Sequence, residues 1–490
     1  RPVPNATPER IGTTRPGSRH HGRSTSSASS AGLVVGSSQP QAALTIIDQS
    51  TGEVKAIVGG RGDKVANRTL NRATDSTRQP GSTFKVLAAY APALDGAGMT
   101  LATVEDDAPY SYANGTSLRN YDGRYRGFTS FRTAITYSIN VVTVKCLTDI
   151  GVDNGFSYLQ DFGFTTLKDS DRVQSLALGG LTDGVTNLEL TAAYATIANG
   201  GTYTKPRFYT KILDHDGNVL IDNTPQTRSV LKETTAWLLT DAMKDVITTG
   251  TGKLCNFEGM TLAGKSGTTT KNRDALFAGF SPYYSCVVWG GYDDNAPQAS
   301  GTTSYPKLIW RAVMQRLHEG LEDKDFDKPA GIVTAQVCKK SGKLAVSGLC
   351  DHDPRGSQVT TEYFAAGTEP TESCDTHVMI TICGASGKPA GPYCPEDQLK
   401  KTAYITGGSS GTEDSPYLLP ANLSTGKCPV HEVPDIEPVD ITGDTGREDK
   451  PLKPDIPTIP GDGEAEEPSD SHTGLDDEEQ VIIDPSDISD

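Results

Sequence analysis

The stretch Gln79-Pro-Gly-Ser-Thr-Phe-Lys85 decides how the rest of this chain is interpreted. Its Pro-Gly pair interrupts the preceding segment, and the apolar periodicity from Phe84 to Leu94 predicts a helix. Ser82 is therefore expected at a helix N-terminus, with Lys85 one turn further on and on the same face. A serine hydroxyl becomes a nucleophile when a neighbouring base takes its proton, and a lysine can do so if burial or another cation lowers its pKa. Alone the pattern is weak, because an N-cap serine followed by a solvated lysine is common.

Two further stretches add groups of the same kind. Tyr137-Ser138-Ile-Asn140 lies between two helical runs, where a loop can present a hydroxyl and an amide. Leu262-Ala-Gly-Lys265-Ser266-Gly267-Thr268 is an apolar strand that ends in a cation, a glycine and hydroxyls. A glycine in an edge strand lets another backbone approach closely, so a peptide substrate can add there as an extra strand. The alternatives are a polar helix junction at Ser138 and an ordinary loop charge at Lys265.

The periodicity of the remaining sequence predicts an α+β or three-layer domain over about residues 40–322. Two apolar, β-branched runs, Ala42–Asp48 and Glu53–Gly59, flank a short polar turn and predict a hairpin. Further strands are predicted at 262–264, 276–280 and 286–292, and helices at 129–137, 141–150, 188–198, 234–247 and 306–321.

Composition and charge narrow the possible classes of protein. The chain has 490 residues, 35% of them hydrophobic and 7% aromatic, which favours two or three folded units with unfolded segments beside them. The net charge of −17 is local, because residues 431–490 hold 20 acidic and 3 basic residues and the remainder is neutral. This balance argues against a nucleic-acid-binding protein. No stretch approaches the roughly 18 apolar residues that a membrane helix needs.

Residues 329–432 contain six of the nine cysteines and an internal repeat. Val337-Cys338-Lys-Lys-Ser-Gly-Lys-Leu-Ala345, then Cys350, matches Ile382-Cys383-Gly-Ala-Ser-Gly-Lys-Pro-Ala390, then Cys394. A Cys-x-x-His sequence follows each copy, so two zinc sites are one interpretation, but the spacing matches no common zinc module. Closely spaced cysteines favour disulfides in an oxidising compartment, and we expect these ahead of zinc. One arrangement among many is Cys338–Cys350, Cys383–Cys394 and Cys374–Cys428, with Cys146, Cys255 and Cys286 as buried thiols.

Ser-x-x-Lys, Ser-x-Asn and Lys-Ser-Gly follow one another in this order, beginning at Ser82, Ser138 and Lys265. The set resembles that of the penicillin-recognising serine acyltransferases. The segment Leu176–Gly200, with its Leu-Gly-Gly, Gly-Val-Thr and Ala-Asn-Gly triplets, is similar to the transpeptidase domain of class A penicillin-binding proteins. Asp274–Pro282 and the opening hairpin are similar to the same family.

The resemblance implies a domain organisation and a fold. A disordered polar linker is expected over 1–40, a transpeptidase domain over 41–325, a Cys-rich repeat region over 329–432 and an acidic disordered tail over 433–490. The implied fold class is α+β, with an antiparallel sheet flanked by helices, an all-helical subdomain and a loop-dominated C-terminal region. Class A proteins begin with a membrane helix and a glycosyltransferase domain; since neither is found here, we expect a truncated or split chain.

The same resemblance implies roles for individual residues. Ser82 is expected to be the acylated nucleophile and Lys85 its general base. Ser138 is expected to relay protons, Asn140 to hold Lys85 and the substrate amide, and Lys265 to orient Ser138.

Three residues at the end of the Lys-Ser-Gly strand are expected to bind the substrate: Ser266, Gly267 and Thr268. The hydroxyls of Ser266 and Thr268 would hold its terminal carboxylate, and the backbone N–H groups of Ser82 and Thr268 would form an oxyanion hole. Neither a metal nor another cofactor is implied, so lysines and N–H groups carry the electrostatics. Two departures from the family pattern are Ser266, where threonine is frequent, and Leu276, where tryptophan is frequent.

The implied reaction is acyl transfer in a bacterial cell envelope, at the extracytoplasmic face of the cytoplasmic membrane. The expected partners are peptidoglycan stem peptides ending in D-Ala-D-Ala, β-lactam antibiotics and the cell-division or elongation machinery. Nucleic acid is not expected, and a membrane only through an anchor outside this sequence. A D,D-carboxypeptidase and a non-catalytic penicillin sensor or wall-binding module remain alternatives. A β-lactamase is disfavoured because no Glu-x-x-x-Asn occurs between residues 141 and 188, and Glu189 is expected to be a buried or capping helix acid.

Overall fold

The computed structural model describes residues 39–64 and 66–431, so almost all of the predicted linker and the whole predicted acidic tail lie outside the described residues. Helices α1–α8 span Ala91–Asp95, Phe131–Tyr137, Asn140–Ile150, Val152–Asp161, Asn187–Ala198, Glu233–Thr248, Tyr305–Leu317 and Ala421–Ser424. Strands β1–β17 span Gln41–Asp48, Glu53–Val58, Val104–Asp107, Tyr110–Ser111, Ser117–Leu118, Gly127–Ser130, Thr202–Thr204, Lys211–Leu213, Val219–Asp222, Thr227–Ser229, Ala263–Thr268, Asp274–Phe280, Ser285–Gly291, Ile332–Cys338, Val359–Ala365, His377–Cys383 and Leu399–Ile405. None of these helices is long and apolar enough to cross a membrane.

A five-stranded antiparallel sheet contains strands from both the beginning and the end of the region predicted as the transpeptidase domain, residues 41–325. Its strand order is β11-β12-β13-β1-β2, so the predicted opening hairpin pairs with strands more than 200 residues further along. The three central strands β12, β13 and β1 are buried on both faces, because helices cover both sides. Residues such as Ala43 and Val287 face a core shared with α5, whereas Leu44 and Val288 face a core shared with α7. The predicted α+β fold with helices flanking an antiparallel sheet is confirmed.

A helical subdomain packs beside this sheet and contains most of the larger core. Its central helix begins as a 3₁₀ turn at Gly81–Thr83, becomes a π-helix at Val86–Tyr90 and ends as α1. Every side chain from Phe84 to Ala91 is buried. Helices α2, α3 and α4 surround it with apolar residues from the same core. A π-helical turn inside a helix is uncommon and occurs often at functional sites.

The Cys-rich region contains more regular structure than the sequence predicts. Strands β14 and β15 pair antiparallel over seven residues, and β16 and β17 do the same. Each hairpin corresponds to one copy of the internal repeat. The polar, glycine-rich composition indicates loops but does not reveal these paired strands, which are stabilised by contacts distant in sequence.

The three predicted disulfides are absent, and this prediction is corrected. All nine cysteines lie among the described residues, and all are free thiols. Cys374 lies beside Cys338 and Cys350, whereas Cys428 lies in a separate group with Cys383 and Cys394. The predicted Cys374–Cys428 bond is therefore wrong, because it joins two groups that the fold keeps apart. The expectation of buried thiols at the other three cysteines is confirmed, as each is fully buried: Cys146, Cys255 and Cys286.

Candidate active site

Ser82 lies in the 3₁₀ turn that begins the central helix, against the end of strand β11. Gly81 adopts φ = +55°, and a Cβ atom built on it would lie 3.1 Å from the carbonyl oxygen of Thr268. The contact in the other direction is closer still, because a Cβ atom on Gly267 would lie 2.7 Å from the carbonyl oxygen of Pro80. Both glycines are therefore needed for the turn to pack on the strand. This packing brings the Ser82 turn next to the Lys-Ser-Gly strand.

Lys85 is completely buried and points at the junction between α2 and α3. Its Nζ donates to the Ser138 carbonyl oxygen at 2.6 Å, to Asn140 Oδ1 at 2.6 Å and to Ser138 Oγ at 3.3 Å. Burial, together with the charge of Lys265, lowers the pKa of Lys85 well below its ordinary value. The lowered pKa favours the neutral amine, which is the form of lysine that can act as a base.

Ser138 lies between two amines. It ends α2 in the left-handed conformation, with φ = 58°, which a non-glycine residue rarely adopts. Lys265 Nζ donates to its Oγ at 2.8 Å and to the Ser266 carbonyl oxygen at 3.1 Å. Burial, and secondarily the nearby Lys307, lowers the pKa of Lys265 to about 7. The hydroxyl of Ser138 thus connects Lys85 and Lys265, which is the arrangement that a proton relay requires.

Strand β11 forms one end of the sheet, with β12 as its neighbour on the inner side. Its outer edge faces the turn that carries Ser82, as the contacts of Gly267 show. Ser266 Oγ lies 2.7 Å from Thr251 Oγ1, so these two hydroxyls share a hydrogen bond at the start of this edge. An edge strand beside a nucleophile can bind an extended peptide by backbone pairing.

A cleft of about 590 Å³ opens onto these groups. Ser82, Asn140 and Thr268 line it, opposite the loop around Gly179. The structure therefore brings the predicted site residues together: three border the cleft, Lys85, Ser138 and Lys265 form the hydrogen-bonded network behind it, and Ser266 and Gly267 lie on the adjoining strand. Lys271 and Arg273 also line the cleft and add positive charge, which suits a substrate with a carboxylate.

Residues that the sequence did not predict hold Asn140 in place. Asn120 Oδ1 accepts hydrogen bonds from the backbone N–H of Asn140 at 2.9 Å and of Val141 at 3.2 Å, so it caps α3 from a distant loop. Its Nδ2 donates to Asp107 Oδ1 at 2.7 Å. The Asn140 amide also donates to the Arg119 carbonyl oxygen at 2.7 Å. Nothing in the local pattern around Asn120 distinguishes it from an ordinary turn asparagine.

The carboxylates near the cleft are occupied by structural contacts. Glu189 Oε2 accepts from the backbone N–H and hydroxyl of Thr186, and its Oε1 accepts from Thr165, so it caps α5 as predicted. Asp274 is the one acidic residue among the described residues that line the cleft. Its Oδ1 accepts from Trp289 Nε1 at 2.9 Å. Neither carboxylate is therefore free to activate a water molecule.

The departure at Leu276 has a simple packing explanation. Leu276 pairs directly with Trp289 on the neighbouring strand, and both side chains are buried in the same core. The tryptophan ring thus fills the space beside position 276. The guanidinium of Arg78 lies 4.9 Å from the centre of this ring on its other side.

Comparison with known proteins agrees with this fold and this site. The family described as penicillin binding protein transpeptidase domain matches residues 42–314, and the family described as penicillin-binding protein 1A, C-terminal domain, matches residues 328–379. In structure, the chain is similar to penicillin-binding protein 1A from Haemophilus influenzae, with a TM-score of 0.59, 26% identity and coverage of 68% of this chain and 54% of that one. PonA1 from Mycobacterium tuberculosis, solved in complex with penicillin V, shares the fold with a TM-score of 0.54, 24% identity and coverage of 61% and 83%.

The names of curated relatives show which penicillin-binding proteins the chain resembles. Penicillin-binding protein 1A from Clostridium botulinum is 37% identical over 79% of this chain and 48% of the relative. Penicillin-binding protein 1A/1B from Bacillus subtilis is 32% identical over 69% of this chain and 38% of the relative. The chain thus belongs to the penicillin-binding protein transpeptidase family, and these curated relatives are named penicillin-binding protein 1A or 1A/1B. It spans less than half the length of these curated relatives.

Proposed function

We propose that the chain is a peptidoglycan D,D-transpeptidase that cross-links stem peptides through an acyl-enzyme on Ser82. The observation that carries this proposal is the hydrogen-bonded network of Lys85, Ser138 and Lys265 beside the cleft that Ser82 lines. Burial and the nearby cation of Lys265 lower the pKa of Lys85, so this lysine can act as the base. The partners are donor stem peptides ending in D-Ala-D-Ala and β-lactams, and the setting is the outer face of the bacterial cytoplasmic membrane.

The first half of the reaction acylates the serine. Ser82 Oγ attacks the carbonyl carbon of the penultimate D-Ala, and its proton passes to neutral Lys85. The negative oxygen of the tetrahedral intermediate is stabilised by the backbone N–H groups of Ser82 and Thr268. The C–N bond then breaks, and a proton passes through Ser138 to the departing nitrogen, which leaves as the amino group of D-Ala. The terminal carboxylate is held until then by the hydroxyls of Ser266 and Thr268.

The second half transfers the acyl group to an amine. The acceptor amine of a neighbouring stem peptide attacks the ester carbon and loses a proton to the Lys85–Ser138 pair. The ester C–O bond breaks, Ser82 regains a proton and the cross-linking amide is released. If water attacks instead, the same steps give a D,D-carboxypeptidase. Because Asp274, the acidic residue among the described residues that line the cleft, is hydrogen-bonded to Trp289, water has no base there beyond the Lys85–Ser138 pair, and we expect the acyl-enzyme formed with penicillin to be long-lived.

The experiment combines covalent labelling with product analysis. The chain should gain the mass of one penicillin molecule on one peptide containing Ser82, and Ser82→Ala should abolish the label. Ser175→Ala is the matched control, because Ser175 also lines the cleft but lies outside the network. A stem-peptide donor with an amine acceptor should give a cross-linked product.

Three results would contradict the proposal. Labelling that persists in Ser82→Ala would remove the assigned nucleophile. Labelling at Ser82 with hydrolysis alone would indicate a carboxypeptidase, and labelling with neither product would indicate a sensor.

A further inference from the structure

Two clusters of metal-ligand side chains lie outside the catalytic cleft, one in each copy of the repeat. In each cluster, three cysteine sulfurs and one histidine nitrogen all lie within 4.8 Å of one another. The first cluster consists of Cys338, Cys350, Cys374 and His377, and the second of Cys383, Cys394, Cys428 and His431.

The separations within the clusters are those of ligands around one ion. The His377 Nδ1 atom lies 3.3 Å from Cys338 Sγ and 3.5 Å from Cys374 Sγ. His431 Nδ1 lies 3.4 Å from Cys383 Sγ and 3.5 Å from Cys428 Sγ. For a tetrahedral zinc ion with Zn–S of about 2.3 Å and Zn–N of about 2.0 Å, the sulfur–nitrogen separation is about 3.5 Å. These four sulfur–nitrogen separations match that geometry.

Disulfide bonding does not account for the same arrangement. Each cluster has three cysteines, so bonding within it would leave one sulfur unpaired beside a histidine. All six cysteines are buried, and a buried, unpaired thiol beside a histidine has no evident packing reason. Four convergent donors from S₃N ligands are instead what zinc prefers.

The groups around the clusters support metal coordination. His377 Nε2 lies 2.9 Å from Asp353 Oδ2, and Arg355 Nε donates to the other oxygen of that carboxylate at 2.7 Å. A carboxylate behind a histidine fixes the ring so that its other nitrogen faces the metal. Backbone N–H groups also point at the sulfurs, from Lys340 to Cys338 at 3.4 Å and from Val346 to Cys350 at 3.3 Å. Such N–H groups stabilise thiolates rather than thiols.

The second copy repeats this construction with different residues. Its backbone N–H of Gly391 points at Cys394 Sγ at 3.3 Å, as that of Val346 does at Cys350. In both copies the first cysteine ends a strand, β14 or β16, and a glycine four residues later has positive φ. Strand β16 begins with His377 and ends with Cys383, so one strand supplies a donor to each cluster. The two copies of the repeat thus form the same set of donors, three cysteines and one histidine.

We propose that the region 329–431 binds two zinc ions, one in each Cys₃His cluster. With four protein ligands each site is closed, so the ions are structural and do not take part in acyl transfer. The need for them follows from the size of the hairpins. Two-stranded hairpins are marginally stable alone, and the apolar clusters near them are small. Metal coordination would supply the stability that these apolar contacts lack.

The test is the metal content of the purified full chain, with variants that separate the sites. Elemental analysis of the wild type should give two zinc ions per chain, one for each cluster. Cys350→Ser and Cys394→Ser should each lower the content by one ion, and the double variant should remove both. Cys146→Ala is the matched control, because Cys146 is a buried thiol outside both clusters and should leave the content unchanged.

A second measurement keeps the proposal testable if a cysteine variant does not fold. Cobalt replacing zinc in the wild type should give the visible bands of tetrahedral thiolate coordination and saturate at the same stoichiometry. The proposal is overturned if the wild type holds no zinc and takes up no cobalt, or if it holds iron. It is equally overturned if intact mass rises on reduction by two hydrogens per pair of these cysteines.

Discussion

At the scale of single residues, the site depends on two lysines that the fold forces into its interior. Lys85 and Lys265 are both fully buried, and both share the hydroxyl of Ser138. Burial disfavours their charged forms, and each cation also disfavours protonation of its neighbours. The charge of Lys265 is the second cause of the lowered pKa of Lys85, after burial. The charge state of Lys265 therefore affects how readily Lys85 is protonated.

This coupling predicts how the reaction depends on pH. Lys265→Met removes the cation that disfavours protonated Lys85, so the pKa of Lys85 should rise. Acylation needs neutral Lys85, and its rate should therefore begin to increase only at a higher pH than in the wild type. The effect should be largest below the Lys265 pKa of about 7, where Lys265 is charged. The measurement is the rate of labelling by fluorescent penicillin across pH.

Lys265→Arg is the matched control because it keeps the charge. Its acylation should be slower, since the guanidinium fits the site poorly, but the pH at which the rate increases should stay near that of the wild type. Equal pH profiles for the methionine variant and the wild type would show that the two lysines do not interact.

The same buried charge should reduce the stability of the folded chain. The pKa of Lys265 falls from 10.5 to about 7, so the unfolded chain binds more protons between these values and stability should rise with pH across that window. Below about pH 7 Lys265 is charged in both the folded and the unfolded chain, so the full cost of burying this charge lowers the stability of the fold. Lys265→Met should then raise the free energy of unfolding by roughly 1–3 kcal/mol, after the loss of its hydrogen bonds. Thermal unfolding at pH values below and above the window would measure this, and a gain that did not shrink at high pH would contradict the explanation.

At the scale of elements, the junction of α2 and α3 positions the predicted site residues Ser138 and Asn140. Helix α2 ends in Ser138, whose left-handed conformation aims its carbonyl and hydroxyl oxygens at Lys85. Helix α3 begins two residues later at Asn140, and its free N–H groups are capped by Asn120 instead of by a neighbouring side chain. A distant loop thus fixes the start of the helix that carries Asn140.

Asn120→Ala should lower both stability and the acylation rate. It removes a helix cap, which typically costs about 1 kcal/mol, and leaves the Asp107 carboxylate without its amide donor. The loss of orientation at Asn140 should slow acylation about tenfold, which corresponds to about 1.4 kcal/mol. Asn114→Ala is the control, since Asn114 accepts one hydrogen bond within an exposed loop. Unfolding midpoints and labelling rates that match this control would contradict the assigned role.

Sequence periodicity predicted the long elements because burial on one or two faces leaves a local pattern. The helices at 141–150, 188–198 and 234–247 were placed to within about two residues. Helix α4 was missed, because its sequence is polar and contains Gly155. That glycine has a tertiary reason: a Cβ atom there would collide with the Ala88 carbonyl oxygen of the central helix. A contact of this kind leaves no local pattern in the sequence.

The candidate site likewise has residues that local sequence motifs predicted and residues that only the three-dimensional structure revealed. Ser82, Ser138 and Lys265 were found because each lies in a short motif with a suitable local setting. Asn120 and Thr251 were not found, because their relation to the site is only through space. The sequence grouped the cysteines in two ways. The zinc interpretation placed each Cys-x-x-His with the repeat copy before it, as the structure does, whereas the disulfide arrangement wrongly joined Cys374 to Cys428.

At the scale of the whole molecule, one arginine connects the Cys-rich region to the catalytic helices. Arg132, in α2, makes two hydrogen bonds of 2.7 Å to Glu362 of β15. It also reaches Asp241 at 2.7 Å and Asp245 at 2.9 Å, both in α6. Three carboxylates thus converge on one guanidinium that is largely buried. Removing it would leave like charges close together.

Arg132→Met should therefore destabilise the chain by about 2–4 kcal/mol, because it leaves partly buried carboxylates unpaired. Arg132→Lys should recover only part of the lost stability. It restores the positive charge, but an ammonium cannot bind Glu362 through two parallel hydrogen bonds. Lys211→Met removes an exposed pair with Asp222 and is the control, with a change below about 0.5 kcal/mol. Chemical denaturation measures all three, and equal effects at Arg132 and Lys211 would show that the connection adds no stability.

The π-helical turn at Val86–Tyr90 has a consequence for which length changes this protein can tolerate. A π-turn holds one residue more than an α-turn, so it is a stored insertion between the Ser82–Lys85 turn and α1. Deleting one residue of this turn, such as Ala88, would let it relax to regular α geometry while the segments on either side keep their relative rotation. A second inserted residue, in contrast, would rotate the Ser82–Lys85 turn by about 100° relative to α1, unless the π-helical segment became longer. This segment can therefore be shortened by one residue more easily than it can be lengthened.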